Sequence, residues 1–306
     1  MQTATGRKAK TSPVDRYQEI TNKVITALEN GTVPWQSPVG KHGQHFAYNY
    51  VSGKQYRGIN FFLLNFMRPH FQGAYLTFNQ AQTLGGKIRK GAKSERVYFF
   101  KMYYRDENGK GMTEQRAQEL QNRGVEVKAT PFLKSFPVFN VEDVEGIDFA
   151  LPSVETFDHS PIEKAEQFVS RITDGPTLAT ATGSANFYTP ATDTITMFPG
   201  NRYRTPEHYY STLFHELTHA TGHASRLNRE GITEAVNPAS ERYAREELTA
   251  EMGAAFLCAL TGVEGQVDNS AAYIGSWLKR LKDDKTLVYK AAAQAQKAVD
   301  FLSGEQ

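Results

Sequence analysis

Two histidines four residues apart, in His215-Glu216-Leu217-Thr218-His219, constrain this 306-residue chain more than any other feature. At 3.6 residues per turn they share one face of a helix, so both imidazoles can reach one divalent ion, at about 2.0–2.1 Å for zinc. That chemistry requires the segment to be helical. Thr205-Pro206 supplies an N-cap followed by proline at the first helical position, and Tyr210, Leu213, Phe214 and Leu217 supply an apolar side. Glu216, beside the first histidine, is placed to take a proton from a water at such an ion and is the candidate catalytic base.

A catalytic ion needs a third protein ligand and an open position. His223 is a poor source, because a straight helix would spread three ligands over about 12 Å. Sites that take a histidine six residues beyond the second one, after a glycine such as Gly222, find Ser225 there instead. A carboxylate from a later helix remains. Glu247, Glu251, Ala254 and Cys258 recur at steps of four, three and four, which puts both carboxylates on one inward-facing stripe. A buried carboxylate requires a cation or hydrogen bonds. The metal set is therefore His215, His219, Glu247 and Glu251. Glu247 is the preferred ligand and Glu251 a partner for a histidine, and the reversed assignment fits the same stripe. The ion is zinc or another divalent metal such as manganese.

The formal net charge of +2 conceals a division. Residues 1–140 hold 21 Lys and Arg against 9 Asp and Glu, and residues 141–306 hold 14 against 24. A basic half implies a polyanionic partner. Between 41 and 105 there are 11 cations, 15 Phe and Tyr, and one acid, Glu95. Cations neutralise phosphates and ring faces take unpaired bases, so the mixture favours single-stranded nucleic acid. Lys87, Arg89, Lys90 and Lys93, among glycines that let backbone N–H groups approach an anion, are the candidate phosphate contacts. Trp35, Tyr50 and Tyr56, with Tyr48 and Tyr75, are candidate stacking rings, and Arg57 and Asn60 lie beside them. Phe61, Phe62, Phe66, Phe99 and Phe100 read as core.

The chain divides into an N-terminal nucleic-acid-binding domain, 1–140, an acidic linker, 141–160, and a C-terminal metal-binding domain, 161–306. Both domains read as α+β. Ser12-Pro13 and Ser160-Pro161 mark helix starts, 74–78, 95–104 and 132–141 read as strands, and 106–130, charged and without an aromatic residue, as a mobile insertion. Strands at 185–189 and 194–198 form a hairpin, and helices from 206, 240, 268 and 284 fill the remainder. No run approaches the roughly 18 apolar residues of a membrane span. Met1–Ser12 has no apolar core of a leader, and the single Cys258 excludes intrachain disulfides and a cysteine cage. The expectation is a cytoplasmic protein without a membrane partner.

Several motifs in one order carry a resemblance. They are Val33-Pro34-Trp35, Tyr56-Arg57-Gly58-Ile59-Asn60, Thr77-Phe78-Asn79-Gln80-Ala81, Val138-Phe139-Asn140-Val141, Tyr188-x-Pro190-x-x-Asp193, His215–His219, Thr221-Gly222-His223 and Glu246–Phe256. From about residue 14 to 260 the chain resembles the ArdC antirestriction proteins of conjugative plasmids. The resemblance implies a single-stranded-DNA-binding domain followed by a zincin-like metallopeptidase domain, and protection of incoming plasmid DNA from host restriction. It leaves open whether the second domain cleaves peptides. Three functions follow: an antirestriction protein on single-stranded DNA with a zinc site, a DNA-activated zinc peptidase, and a strand-binding protein with a merely structural ion; a protein substrate or a restriction enzyme is the further partner expected besides the DNA.

Overall fold

The computed structural model describes residues 15–36, 46–67, 70, 72–151, 161–180, 186–233, 240–263 and 271–305. Helix α1 (Arg16–Glu29) starts at Asp15, whose carboxylate accepts from the backbone N–H groups of Tyr17 and Gln18. The expected Ser12-Pro13 start lies outside the described residues. Ile20, Val24 and Leu28 form the buried stripe of α1. Strand β1 (Tyr48–Asn49) leads to α2 (Ile59–Phe62), which continues as a π turn over 63–67. Then come β2 (Ala74–Leu76), α3 (Phe78–Thr83), β3 (Lys87–Ile88) and β4 (Glu95–Arg105). Helix α3 opens with a reciprocal cap, Thr77 accepting from the Gln80 backbone and Gln80 accepting from that of Thr77.

Strand β5 (Gly111–Met112), helix α4 (Glu114–Asn122) and β6 (Lys128–Asn140) complete a five-stranded sheet of order β1-β2-β6-β4-β5. Strands β4 and β6 form a long antiparallel ribbon, in register from Glu95 opposite Val138 to Arg105 opposite Lys128. The stretch 106–130 therefore carries strand and helix, not a structureless insertion. Its signal was weak because most of its side chains are exposed, which leaves little apolar periodicity to read. Residues 141–151 correct the expected linker as well. Strand β7 (Val144–Glu145) pairs with β3, and Ile147, Phe149 and Leu151 pack on Leu76, Ala81 and Val144. Apolar residues alternating with those acids bury, so the run is not a solvated connector. The rest of that segment, 152–160 with the Ser160 cap, lies outside the described residues.

The second half opens with α5 (Pro161–Ser170) and a three-stranded sheet of β8 (Thr177–Thr180), β9 (Phe187–Thr189) and β10 (Thr194–Met197), ordered β8-β10-β9. Asp193 turns the β9–β10 connection at φ 48°. Helices α6 (Pro206–Ala220), α7 (Glu230–Thr233), α8 (Glu241–Thr261), α9 (Ala271–Asp283) and α10 (Leu287–Ser303) follow. Helix α8 is central and buried nearly all round, from Leu248 through Met252, Phe256 and Leu257. Small residues let its neighbours close in. Ala291, Ala292, Ala295 and Ala298 of α10 are buried, and Gly253 of α8 meets Thr218 of α6.

One apolar core joins the halves. Phe61 and Phe66 pack on Phe256 with ring centroids 4.8 and 5.9 Å away, and Trp35 meets Trp277 edge-on at 5.1 Å. Polar contacts follow the same seam: Thr21 Oγ1 donates to the Lys285 carbonyl at 2.8 Å, and the Gly58 N–H donates to Gln296 Oε1 at 2.9 Å. Among the described residues no helix is long and apolar enough to cross a membrane.

Candidate functional site

Helix α6 begins at the Thr205 cap, whose hydroxyl accepts from the His208 N–H, and about three and four turns later presents His215 and His219 side by side. Their Nε2 atoms are 3.1 Å apart. From α8, Glu247 brings its carboxylate oxygens to 3.7 Å from His215 Nε2 and 3.5 Å from His219 Nε2. One atom from each of these three residues lies within 4.8 Å of the other two. The opposite ring nitrogens face carboxylates. His219 Nδ1–H donates to Glu246 Oε1 at 3.2 Å, and His215 Nδ1 lies 3.6 Å from Glu251. Carboxylates at both Nδ1 atoms favour the tautomers that leave the Nε2 lone pairs for an ion. Two imidazoles and a carboxylate converging this way form a donor set suited to zinc or manganese, and they could hold either.

Burial and charge oppose each other here. Burial, with the positive charge of His219 beside it, pushes His215 down to about 3. Burial works against a charge on His219 too, but Glu246 and Glu247 outweigh it and hold that ring up at about 9. Burial and the Glu247 carboxylate raise Glu251 to about 8. The Trp35 indole approaches Glu251, yet Trp35 Nε1 and Glu251 Oε2 are both buried without a well-formed hydrogen bond among the described residues.

Glu246 is the residue sequence reasoning missed. Arg229 donates to it twice, Nε to Oε2 at 2.9 Å and Nη2 to Oε1 at 2.6 Å, and reaches Thr221 Oγ1 and the Thr218 carbonyl, each at 2.6 Å. Opposed by burial, these contacts still bring Glu246 down to about 2. A ligand stripe read in steps of three and four passes over its immediate neighbour, so no pattern signalled Glu246. The arrangement explains it: Glu246, Glu247 and Glu251 all face α6 and divide its two rings between them.

Glu216 is buried, which raises its carboxyl above the ordinary value, and the nearby Tyr188 backbone works against that rise. With His215, His219 and Glu247 it lines a cleft of about 420 Å³, walled on another side by Phe187 and Tyr188. Those two belong to β9, which lies at one edge of the sheet. An added peptide could not pair along β10, which already has β8 on one side and β9 on the other. The Tyr188 hydroxyl donates to Asp193 Oδ1 at 2.8 Å, and His223 bonds Ser225.

The candidate nucleic-acid residues scatter. Lys87, Arg89, Lys90 and Lys93 are exposed together, with Arg89 Nε 3.4 Å from Glu145. Trp35, only 2% exposed, is core against Trp277 and cannot receive a base. Arg57 pairs with Asp300 and lies 3.8 Å from Glu305, so its charge anchors the last helix. Asn60 binds the backbone of Tyr98 in both directions, at 2.7 and 2.8 Å, and so fixes the start of β4. Tyr56 packs edge-on against buried Tyr75, and Tyr50 against Phe149. These rings and polar groups had read as binding because aromatics and arginines serve equally well in packing, within the front half or against the helices behind it. Phe61, Phe62 and Phe66 are core as expected, whereas Phe99 and Phe100 are exposed.

The fold and the site define a mixed helix–strand protein in which an N-terminal domain precedes a zincin-like metallopeptidase domain. Family models match in that order: the N-terminal domain of the anti-restriction factor ArdC over residues 14–139, and a zincin-like metallopeptidase over 163–294. Crystal structures of the antirestriction ArdC protein from the R388 plasmid, metal-free and Mn(II)-bound, match with TM-score 0.71 at 33% identity. The matches cover 95% of this chain and 97% and 98% of those chains. The chain belongs to the ArdC antirestriction family. The DNA primase TraC of Escherichia coli is 32% identical over 293 residues, and an uncharacterized protein of Sinorhizobium fredii is 31% identical over 308. Each match covers most of this chain, 94% and 96%, but only 20% of the primase against 94% of the Sinorhizobium protein. The chain thus spans about a fifth of the length of that primase.

Proposed function

We propose that this protein binds single-stranded DNA through its basic half, protects incoming plasmid DNA from host restriction, and holds a divalent ion, zinc or manganese, on His215, His219 and Glu247. The observation that supports the metal reading is the convergence of two Nε2 atoms and a carboxylate at the floor of an open cleft. The strand-binding reading draws on the family, on the charge division and on the exposed run Lys87, Arg89, Lys90 and Lys93. Glu251 and Glu246 orient the two histidines. When bound, such an ion supplies Lewis acidity toward a carbonyl and acidifies water. Glu216, raised by burial and lining the same cleft as the two histidines, is placed to move the proton.

A second reading is peptide hydrolysis, favoured by Glu216 opening onto a cleft whose wall is an edge strand, where an extended peptide could pair. A purely structural ion fits less well, since such sites close the fourth position with protein and this one faces the cleft among the described residues. Binding of a labelled oligonucleotide should weaken with salt, and K87Q/R89Q/K90Q should lower the logarithmic salt slope by roughly 2, at about 0.7 per lost contact. Glu247→Gln should abolish stoichiometric metal, and Glu251→Gln should weaken it about 10- to 100-fold. Glu216→Gln should spare metal and DNA while ending any proteolysis. If that variant still protects plasmid DNA, proteolysis plays no part in protection.

A further inference from the structure

The β4–β6 ribbon has two unlike faces. One turns inward: Tyr98 is buried, Phe100 meets Tyr289 of α10 with centroids 5.7 Å apart, and Arg16 of α1 donates to Ser135 Oγ at 3.0 Å. The side chains of the other face follow the pleat through Phe99, Lys101, Tyr103 and Arg105 on β4 and Lys128, Thr130, Phe132, Lys134 and Phe136 on β6. All nine are exposed. Phe99 keeps 53% of its surface in water, Tyr103 43%, Phe132 40% and Phe136 38%. Over this length the face holds four rings, four cations and no acid.

The cross-strand register alternates the two kinds. Phe99 lies opposite Lys134, and Lys101 opposite Phe132. Lys101 sits over the Tyr103 ring at 5.3 Å, Lys134 over Phe136 at 4.8 Å, and Tyr103 meets Phe132 edge-on at 5.6 Å. Four exposed rings on one sheet face are costly in water unless something covers them. A second copy of this face would bring four more cations against these four. An apolar peptide would leave the cations unanswered. A duplex would satisfy the cations but hide its bases from the rings.

The geometry points to this outer face, and above all to Phe99, Tyr103 and Phe132 with Lys101 and Lys134 between them, as the platform on which a single strand of DNA stacks its bases and lays its phosphates. The inference rests on the strand-binding reading and locates it away from most of the rings and polar groups that the sequence had suggested. Phe99 and Tyr103 are four residues apart, about 13 Å along the strand, and Phe132, opposite Lys101, falls between them across the ladder, so successive bases can spread over the ribbon while cations on both strands meet the backbone.

The test uses the full chain and a fluorescent oligothymidine in a polarisation titration at low salt, with a hairpin duplex as competitor. Phe99→Ala, Tyr103→Ala and Phe132→Ala remove exposed side chains, so each should melt as the native protein does and weaken binding about fivefold to a hundredfold. K101Q/K134Q should lower the salt slope, and the duplex should compete poorly. If the native protein binds the strand and all three ring variants bind equally well, the platform lies elsewhere and the inference fails alone. If the native protein binds no strand at all, the reading it rests on fails with it. If the ring variants instead break up a dimer without changing DNA binding, the face is a self-association surface and the inference is overturned.

Discussion

Replacing Glu246 by glutamine tests the network behind the histidines. The change preserves shape but not acceptors. Arg229 uses both Glu246 oxygens, and the His219 ring uses one of them as well. An amide offers one oxygen and turns an NH2 group toward either a guanidinium or an imidazole N–H. Arg229 is itself buried, so its charge would lose its anion where water cannot replace it. Breaking a buried pair in this way costs about 3–5 kcal/mol. The Thr218 carbonyl and Thr221 hydroxyl remain as partners, which places the expectation near the lower end, about 3 kcal/mol. The loss at His219 is a separate effect and should weaken metal binding about 10- to 100-fold. Denaturant titration of metal-free protein measures the first, and competition against a chelator the second. The double variant R229M/E246Q removes both charges and should recover part of the stability lost by E246Q alone. A metal-free E246Q protein within about 0.5 kcal/mol of native, with unchanged metal affinity, would refute this account of the site.

Gly253→Ala places a Cβ only 3.0 Å from Thr218 Cβ, against a β-branched side chain that is stiff in a helix. The α6–α8 crossing should spread at a cost of about 1–3 kcal/mol, and an undiminished melting temperature would show that the two helices have slack. The Arg226 guanidinium, aided by the Tyr188 hydroxyl and opposed by burial, holds the Asp193 carboxyl below its ordinary value. A depressed folded value means the stabilisation is complete above the unfolded value of about 3.9 and is lost as pH falls through the folded one. Asp193→Asn, which tolerates the left-handed φ, should therefore be less stable than native at neutral pH, with the gap closing below about pH 4. A gap that stays constant down to acid unfolding would contradict the pairing.

The metal helix was legible because its chemistry and its signals coincide: a Thr-Pro cap, an apolar side and two histidines one turn apart. The Glu247 stripe was legible for the same reason, since buried carboxylates at helical spacing need an explanation. Glu246 was not, because its role depends on Arg229, a residue from a different element whose approach no local pattern reports. The basic half misled in an instructive way. Tyr56, Arg57, Asn60 and Trp35 combine residue types that bind nucleic acid, yet here Trp35 and Arg57 join the front half to α9 and α10, while Tyr56 and Asn60 pack and bond within it. Phe99 read as core and Phe132 as the start of a strand, and only the pairing of β4 with β6 shows that both lie on one face whose side chains, from Phe99 to Arg105 and from Lys128 to Phe136, are exposed among the described residues. Short strand β8 gave no signal above its surroundings.

The Trp35–Trp277 and Phe61–Phe256 contacts make the two sequence domains one thermodynamic unit. Cutting the chain near residue 140 would leave rings from both pieces facing solvent, so neither piece is a fair proxy for its role in the intact molecule. Denaturation should register at the ion site and on the ribbon in a single transition. Anything that tightens α8 against α6 is felt, through the same interlocked rings, by the half that carries the cations.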